Sequence, residues 1–125
     1  NIEASPDGGH CMRICTQKTK TQATLPLSEE ALSYCGEPSR GLVFKGLSRA
    51  HTREPFKSWL KAAGITKKIT FHGLRHTYAT LLITNGTDIY TVSKMLTHKN
   101  VATTQIYAEV INQKKRDAAN SITLK

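Results

Sequence analysis

The sequence predicts a mixed α+β fold, mainly α-helical, with a small antiparallel β-hairpin near the N-terminus packed on a helical bundle. Three observations predict it. Between His10 and Pro26 two short runs alternate apolar and polar side chains about a lysine-bearing turn, which is the period of paired strands. Beyond Ser28 the apolar residues recur every three or four positions, which is the period of helices. Capping residues (Ser28, Thr70, Asp88) precede these helical runs, and glycines (Gly36, Gly64, Gly86) follow them.

Taken in order, Pro6-Asp7-Gly8-Gly9 is a turn signal, so a strand should begin near His10. Met12, Ile14 and Thr16 alternate there with Cys11, Arg13 and Cys15. Gln22 to Leu25 forms the second strand, after Lys18-Thr19-Lys20-Thr21. The hairpin spans about 10–26 and stops at Pro26-Leu27-Ser28. Ser28, with Glu29 and Glu30, opens a helix over 28–35. Residues 37–46 form a loop around Leu42-Val43-Phe44.

Thr52 is the expected cap of a helix over 52–63, because Pro55 is tolerated only in a first turn. Phe56, Trp59, Leu60 and Ala63 would be its buried face, and Arg53, Lys57 and Lys61 a basic edge suited to DNA. In the helix over 70–85, His72, Arg75, His76 and Ala79 fall on one side. Leu74, Tyr78, Leu81 and Leu82 fall on the other and read as the buried stripe. A helix over 88–96 follows, capped by Thr87 or Asp88, with Ile89, Val92 and Leu96 inward. Asn100 should cap a short helix over 100–107 that turns Ile106 inward and carries Tyr107 near its end. The last helix, 108–121, exposes Lys114, Lys115 and Arg116. Its apolar stripe (Val110, Ile111, Ala118) is too thin to fold back alone, which predicts docking on a neighbouring subunit.

Composition narrows the function. The 125 residues, 38% hydrophobic, suffice for one domain over 1–125. Eighteen Lys and Arg against nine Asp and Glu give +9 at pH 7, so a polyanionic partner is expected, nucleic acid before membrane. No apolar run is long enough to span a bilayer and no signal peptide opens the chain, so a cytoplasmic location without membrane association is expected. Cys11, Cys15 and Cys35 are too few for a disulfide framework and should be reduced thiols. His72 and His76 stand four apart, as in a zinc site, but no Glu lies between them in the His-Glu-x-x-His manner and no third ligand is evident; no metal or cofactor is expected. The first residue is Asn1, and the chain reads as a piece of something longer.

Several stretches together resemble a known family. They are Gln17-Lys18-Thr19 with Pro26-Leu27-Ser28, Ala63-Gly64-Ile65, His72-Gly73-Leu74-Arg75-His76-Thr77-Tyr78-Ala79-Thr80, Val92 to His98, and Thr103-Thr104-Gln105-Ile106-Tyr107. The sequence is similar to the catalytic domain of tyrosine recombinases, the integrases of phages and conjugative transposons. The resemblance implies site-specific DNA recombination through a 3′-phosphotyrosine intermediate, on double-stranded attachment or recombination sites, by a homotetramer. It implies Tyr107 as nucleophile, Arg75 and His98 on the non-bridging phosphate oxygens, His72 assisting proton transfer at the tyrosine, and Lys18 protonating the leaving oxygen. His76 matches the family text as support of its helix.

The family also has a catalytic arginine on a helix before the hairpin, where this chain has nine residues. Arg13 in a strand and Arg40 in a loop do not match it, so the fragment alone is expected to be inactive or impaired. A smaller departure is Thr97, where the family usually has glycine. Two other classes compete with this reading. A helix-turn-helix DNA reader over Asp88 to Tyr107 would bind DNA without a covalent adduct. A type IB topoisomerase would use much the same residues as a monomer with little site preference.

Overall fold

A computed structural model describes residues 1–17 and 20–124. The chain forms two compact units, Asn1–Leu47 and Ser48–Lys125. The fold is mixed, with a three-stranded antiparallel sheet in the first unit and most of the helices in the second.

The sheet runs in the order β1 (Ile2–Ala4), β2 (His10–Cys15), β3 (Gln22–Leu27). β1 is a strand that the sequence reading left out. It forms because the Pro6-Asp7-Gly8-Gly9 turn folds the first residues back along β2, with Ser5 N–H bonded to the Gly9 carbonyl at 2.9 Å and Gly8 N–H to Ser5 at 3.1 Å. The register pairs Ile2 with Met12, Met12 with Leu25 and Ile14 with Ala23. One face therefore carries the half-buried apolar set, while Arg13, Cys15, Gln22 and Thr24 point to the exposed face. Arg13 uses that exposure to bridge Glu3 of β1 at 3.0 Å. The turn residue Lys18 lies outside the described residues. α1 (Glu29–Ser33) starts as expected, Ser28 Oγ accepting from Ala31 N–H at 3.1 Å. Cys11, Cys15 and Cys35 are free thiols.

In the second unit a short 3-10 turn, Arg49–Thr52, leads into α2 (Glu54–Ala62). Thr52 does not cap α2: its hydroxyl bonds back to the Arg49 carbonyl at 2.8 Å inside the 3-10 turn, and Arg53 stands at the cap position without a side-chain bond. Leu60 is buried, but Trp59 is 64% exposed and Ala63 is exposed as well, so the expected apolar face is only partly covered. Phe56 spans the gap with ring contacts to Trp59 (6.0 Å) and, edge-on, to Phe71 (5.9 Å).

α3 (Phe71–Thr84) starts on the Thr70 cap, whose Oγ1 accepts from Gly73 N–H at 3.0 Å. Gly86, at φ +95°, takes the left-handed conformation that ends the helix. The buried stripe of α3 is not the predicted one. Ala79 and Ile83 are fully enclosed, whereas Leu74, Tyr78 and Leu81 are exposed. Ala79 explains the choice: a methyl side chain lets the neighbouring elements approach closely, and Ile83 one turn on completes the contact. The core consists of Ala79, Ile83, Val92 and Leu96 of the helix pair, together with Tyr107, and Leu82, Val110 and Ile111 pack against it.

α4 (Ile89–Met95) is capped by Asp88, whose carboxylate accepts from Thr91 N–H at 2.9 Å and from the Thr91 hydroxyl at 2.6 Å. Those bonds hold the Asp88 carboxyl below its ordinary value. The next segment, Val101–Tyr107, is a 3-10 helix rather than an α-helix. Every third residue then faces the same way, so Thr104 and Tyr107 are buried together while Ile106 is 65% exposed. The expected inward Ile106 is corrected by this change of period. α5 (Ala108–Asn120) packs back on α3 through Val110 and Ile111, with Ala118 exposed. The stripe judged too thin to fold back needs only these two residues, because α3 and the 3-10 helix already supply the rest of the core.

Candidate active site

The second unit brings one face of α3, the turn after α4 and the end of the 3-10 helix together. His72, Arg75 and His76 project from α3 and are exposed residues. The Nδ1 of His76 lies 2.7 Å from the Tyr107 hydroxyl, and the two rings are tilted at a centroid distance of 5.9 Å. His72 stands edge-on to His76 at 5.0 Å. Tyr107 itself is only 8% exposed. Burial pushes its hydroxyl above the ordinary tyrosine range, and the Arg75 guanidinium opposes that shift. Tyr107 in the resting site is thus a neutral phenol with a histidine nitrogen against it.

Arg75 is tied to the turn that carries His98. Its Nη2 donates to the carbonyl of Leu96, the C-cap residue of α4, placing a cation at the negative end of that helix. The turn itself is a complete Schellman closure. Thr97, at φ +58°, directs its N–H to the Lys94 carbonyl (2.9 Å), and His98 N–H returns to Ser93 (2.9 Å). The left-handed step at Thr97 swings His98 out of the helical path.

The imidazole of His98 is fixed by Thr104, whose Oγ1 lies 2.8 Å from Nδ1. Thr104 is fully buried, and its hydroxyl has no other partner among the described residues. A buried hydroxyl proton must be satisfied, so Thr104 donates to Nδ1 and His98 carries its own proton on Nε2. Burial and the Arg75 charge both hold His98 below its ordinary value, favouring the neutral ring. Neutral His98 thus offers one N–H donor, and Arg75 beside it retains unused donors in a planar fork. Such a pair suits an oxyanion, and Tyr107 suits a nucleophile.

Lys57 and Lys61 lie on α2 and Arg53 at its N-cap, all exposed, with Lys57 bridged to Glu54 at 2.7 Å. A cleft of about 430 Å³, lined by Arg49, Thr52, Arg53, Thr70, Phe71 and His72, adds further positive charge. Two contributors escaped the sequence reading, the bond of His76 to Tyr107 and that of Thr104 to His98. The second had a signal in the sequence, since Thr104 stands three before Tyr107, the repeat of a 3-10 helix. The first required knowing which face of α3 is buried.

The second unit thus brings Arg75, His76, His98 and Tyr107 onto neighbouring elements, linked to Leu96, Tyr107 and Thr104 by the bonds just described. The chain belongs to the phage integrase family, whose pattern it matches over residues 7–114. It is 31% identical over 121 residues to a tyrosine recombinase of Pseudothermotoga lettingae, covering 89% of this chain and 42% of that protein. It is also 42% identical over 120 residues to the tyrosine recombinase XerD of Halalkalibacterium halodurans, covering 82% of this chain and 40% of the relative. The chain thus spans about two fifths of the length of these relatives. Among the described residues, no helix is long and apolar enough to cross a membrane.

Proposed function

We propose that this chain carries the strand-cleaving residues of a site-specific DNA recombinase that breaks and rejoins DNA through a 3′-phosphotyrosine. The observation that carries the proposal is the setting of Tyr107. A buried phenol near the end of the chain has its hydroxyl on α3 and feels the charge of Arg75 from the same helix. In this reading Tyr107 attacks the scissile phosphate. Arg75 and the Nε2–H of His98 take the non-bridging oxygens as charge builds on them, His72 assists the proton of the tyrosine, and Lys18 protonates the departing 5′-oxygen. One phosphodiester becomes a phosphotyrosine ester and later another diester, so no nucleotide energy source is required.

Arg53, Lys57 and Lys61 would hold the DNA backbone beside the cleft. The net charge of +9 supports a duplex partner, and the same proposal has the protein act as a homotetramer on paired sites, in the cytoplasm. A duplex nicked close to the scissile phosphate tests the proposal, because the short 5′ fragment diffuses away and traps the adduct. The expected product is a denaturation-resistant protein–DNA species, absent with Tyr107→Phe. Duplex binding should persist in that variant and weaken steeply with salt. A non-catalytic helix-turn-helix reader would give binding and no adduct from either protein, and an adduct from the Phe variant would remove Tyr107 from the role.

A further inference from the structure

We propose that His76 takes the proton of Tyr107 directly, with His72 assisting from the turn before it. The inference rests on the reading of Tyr107 as nucleophile and assigns a catalytic role to a side chain not given one above. The geometry favours it directly. His76 Nδ1 is 2.7 Å from the hydroxyl oxygen, within reach for proton transfer. The hydrogen bond to the hydroxyl is made by His76, and His72 stands edge-on to the His76 ring at 5.0 Å. The contact is also well supported on both sides. Tyr107 is held in the core with Ala79 and Ile83, and Ala79 lies three residues after His76 on the same helix. The two partners are thus presented to each other by packed elements.

The step balances as follows. Neutral His76 accepts the phenolic proton at Nδ1 as the Tyr107 O–H bond breaks and the new Oη–P bond forms. The P–O5′ bond breaks, and the departing oxygen takes its own proton from the acid on the other side of the phosphate. On rejoining, the imidazolium returns its proton to the phenolate as that oxygen leaves phosphorus. Arg75 on α3 is the charged group that acts on Tyr107, His72 stands against the His76 ring, and His98 lies within reach of the Arg75 charge. Arg75 acts on Tyr107 and His98 alike, so it stabilises a developing phenolate without accepting the proton.

The test uses the full-length protein, since the fragment alone is expected to be impaired, and a duplex with sulfur in the bridging 5′ position. A thiolate leaves without protonation, so only proton removal from the tyrosine remains under examination. The wild-type rate of adduct formation should rise by much less than tenfold per pH unit, because a side chain rather than hydroxide removes the proton. His76→Gln keeps a hydrogen-bond acceptor but cannot take a proton. It should be slower by about 10²- to 10⁴-fold near pH 7, bind the duplex as tightly as wild type, and accelerate about tenfold per pH unit. Equal rates and profiles for wild type and His76→Gln would reduce His76 to a scaffold and overturn the inference while leaving Tyr107 as nucleophile. A wild-type chain that forms no adduct at any pH would overturn the reading beneath it. Independently, ¹⁵N NMR should show the His76 Nδ1 resonance moving in Tyr107→Phe, and an unmoved resonance would remove the contact on which the proposal stands.

Discussion

The two units of this chain are held together in different ways. In Asn1–Leu47, Cys11 is the one buried side chain among the described residues, and order comes from the ladder that links β1, β2 and β3. In Ser48–Lys125, Leu60, Ala79, Ile83, Val92, Leu96, Thr104 and Tyr107 are buried, and the groups able to handle a phosphate hang from that core. The difference teaches why the site lies where it does. A nucleophile and its donors must be held in fixed relation, and a packed helical core does that better than a half-buried sheet face.

The largest effects should therefore come from opening the second unit. Leu96→Ala removes a side chain that is 2% exposed beneath the turn carrying His98, and a fully enclosed leucine of this kind is worth about 2–5 kcal/mol. Ile14→Ala acts on the half-buried face of β2 and should cost about 1 kcal/mol, since only part of that side chain leaves water. Chemical denaturation followed by circular dichroism measures both. Equal losses would break the comparison, because the sheet face would then be as enclosed as the helical core.

Much of this division was legible in the residues themselves. Period-two alternation marked β2 and β3, and Ser28, Thr70 and Asp88 marked helix starts that their side chains do cap. What was not legible was which apolar stripe of α3 would be covered. The spacing of Leu74, Tyr78, Leu81 and Leu82 marked the buried side, yet of these Leu82 packs against the core and the other three are exposed. Burial went instead to Ala79 and Ile83, because close approach rewards a small residue as much as a large one. The burial of Tyr107 was hidden for a related reason: it follows the three-residue repeat of a 3-10 helix, whereas the α-helical period favours Ile106. β1 has only three residues, too short for any periodicity to show.

An intermediate effect should follow from unlocking His98. Thr104→Val keeps the volume but leaves the Nδ1 of His98 without its donor, an expected loss of about 1–3 kcal/mol together with a mixed tautomer visible by ¹⁵N NMR. The pH dependence sharpens the point. His98 has a lower value folded than unfolded, so its contribution to stability is complete above the ordinary 6.5 and is lost as pH falls through the folded value. Tyr107 works in the opposite sense: its folded value is raised, so its contribution is complete below 10.0 and is lost as pH climbs above that. His98→Asn should flatten part of the acid limb that begins near pH 6.5, and an unchanged limb would show that burial and the Arg75 charge do not hold the ring below its ordinary value.

The smallest expected effect has an unusual sign. Thr97 occupies a left-handed position, φ +58°, at the close of α4, and a β-branched residue there costs roughly 1–2 kcal/mol relative to glycine. Glycine has its own cost, about 0.5–1 kcal/mol of extra backbone entropy in the unfolded chain. The first effect is the larger, so Thr97→Gly should raise stability by about 0.5 kcal/mol and the melting temperature by a few degrees. Thr97→Val, which keeps the branch and the strain, should give no gain. The Schellman bonds from residues 97 and 98 to Lys94 and Ser93 use only backbone atoms, so His98 should keep its place and its tautomer in the glycine variant. A destabilised Thr97→Gly would mean that the turn is held by the Thr97 side chain rather than by the backbone closure, and the rigidity assigned to the second unit would then depend on a contact outside its core.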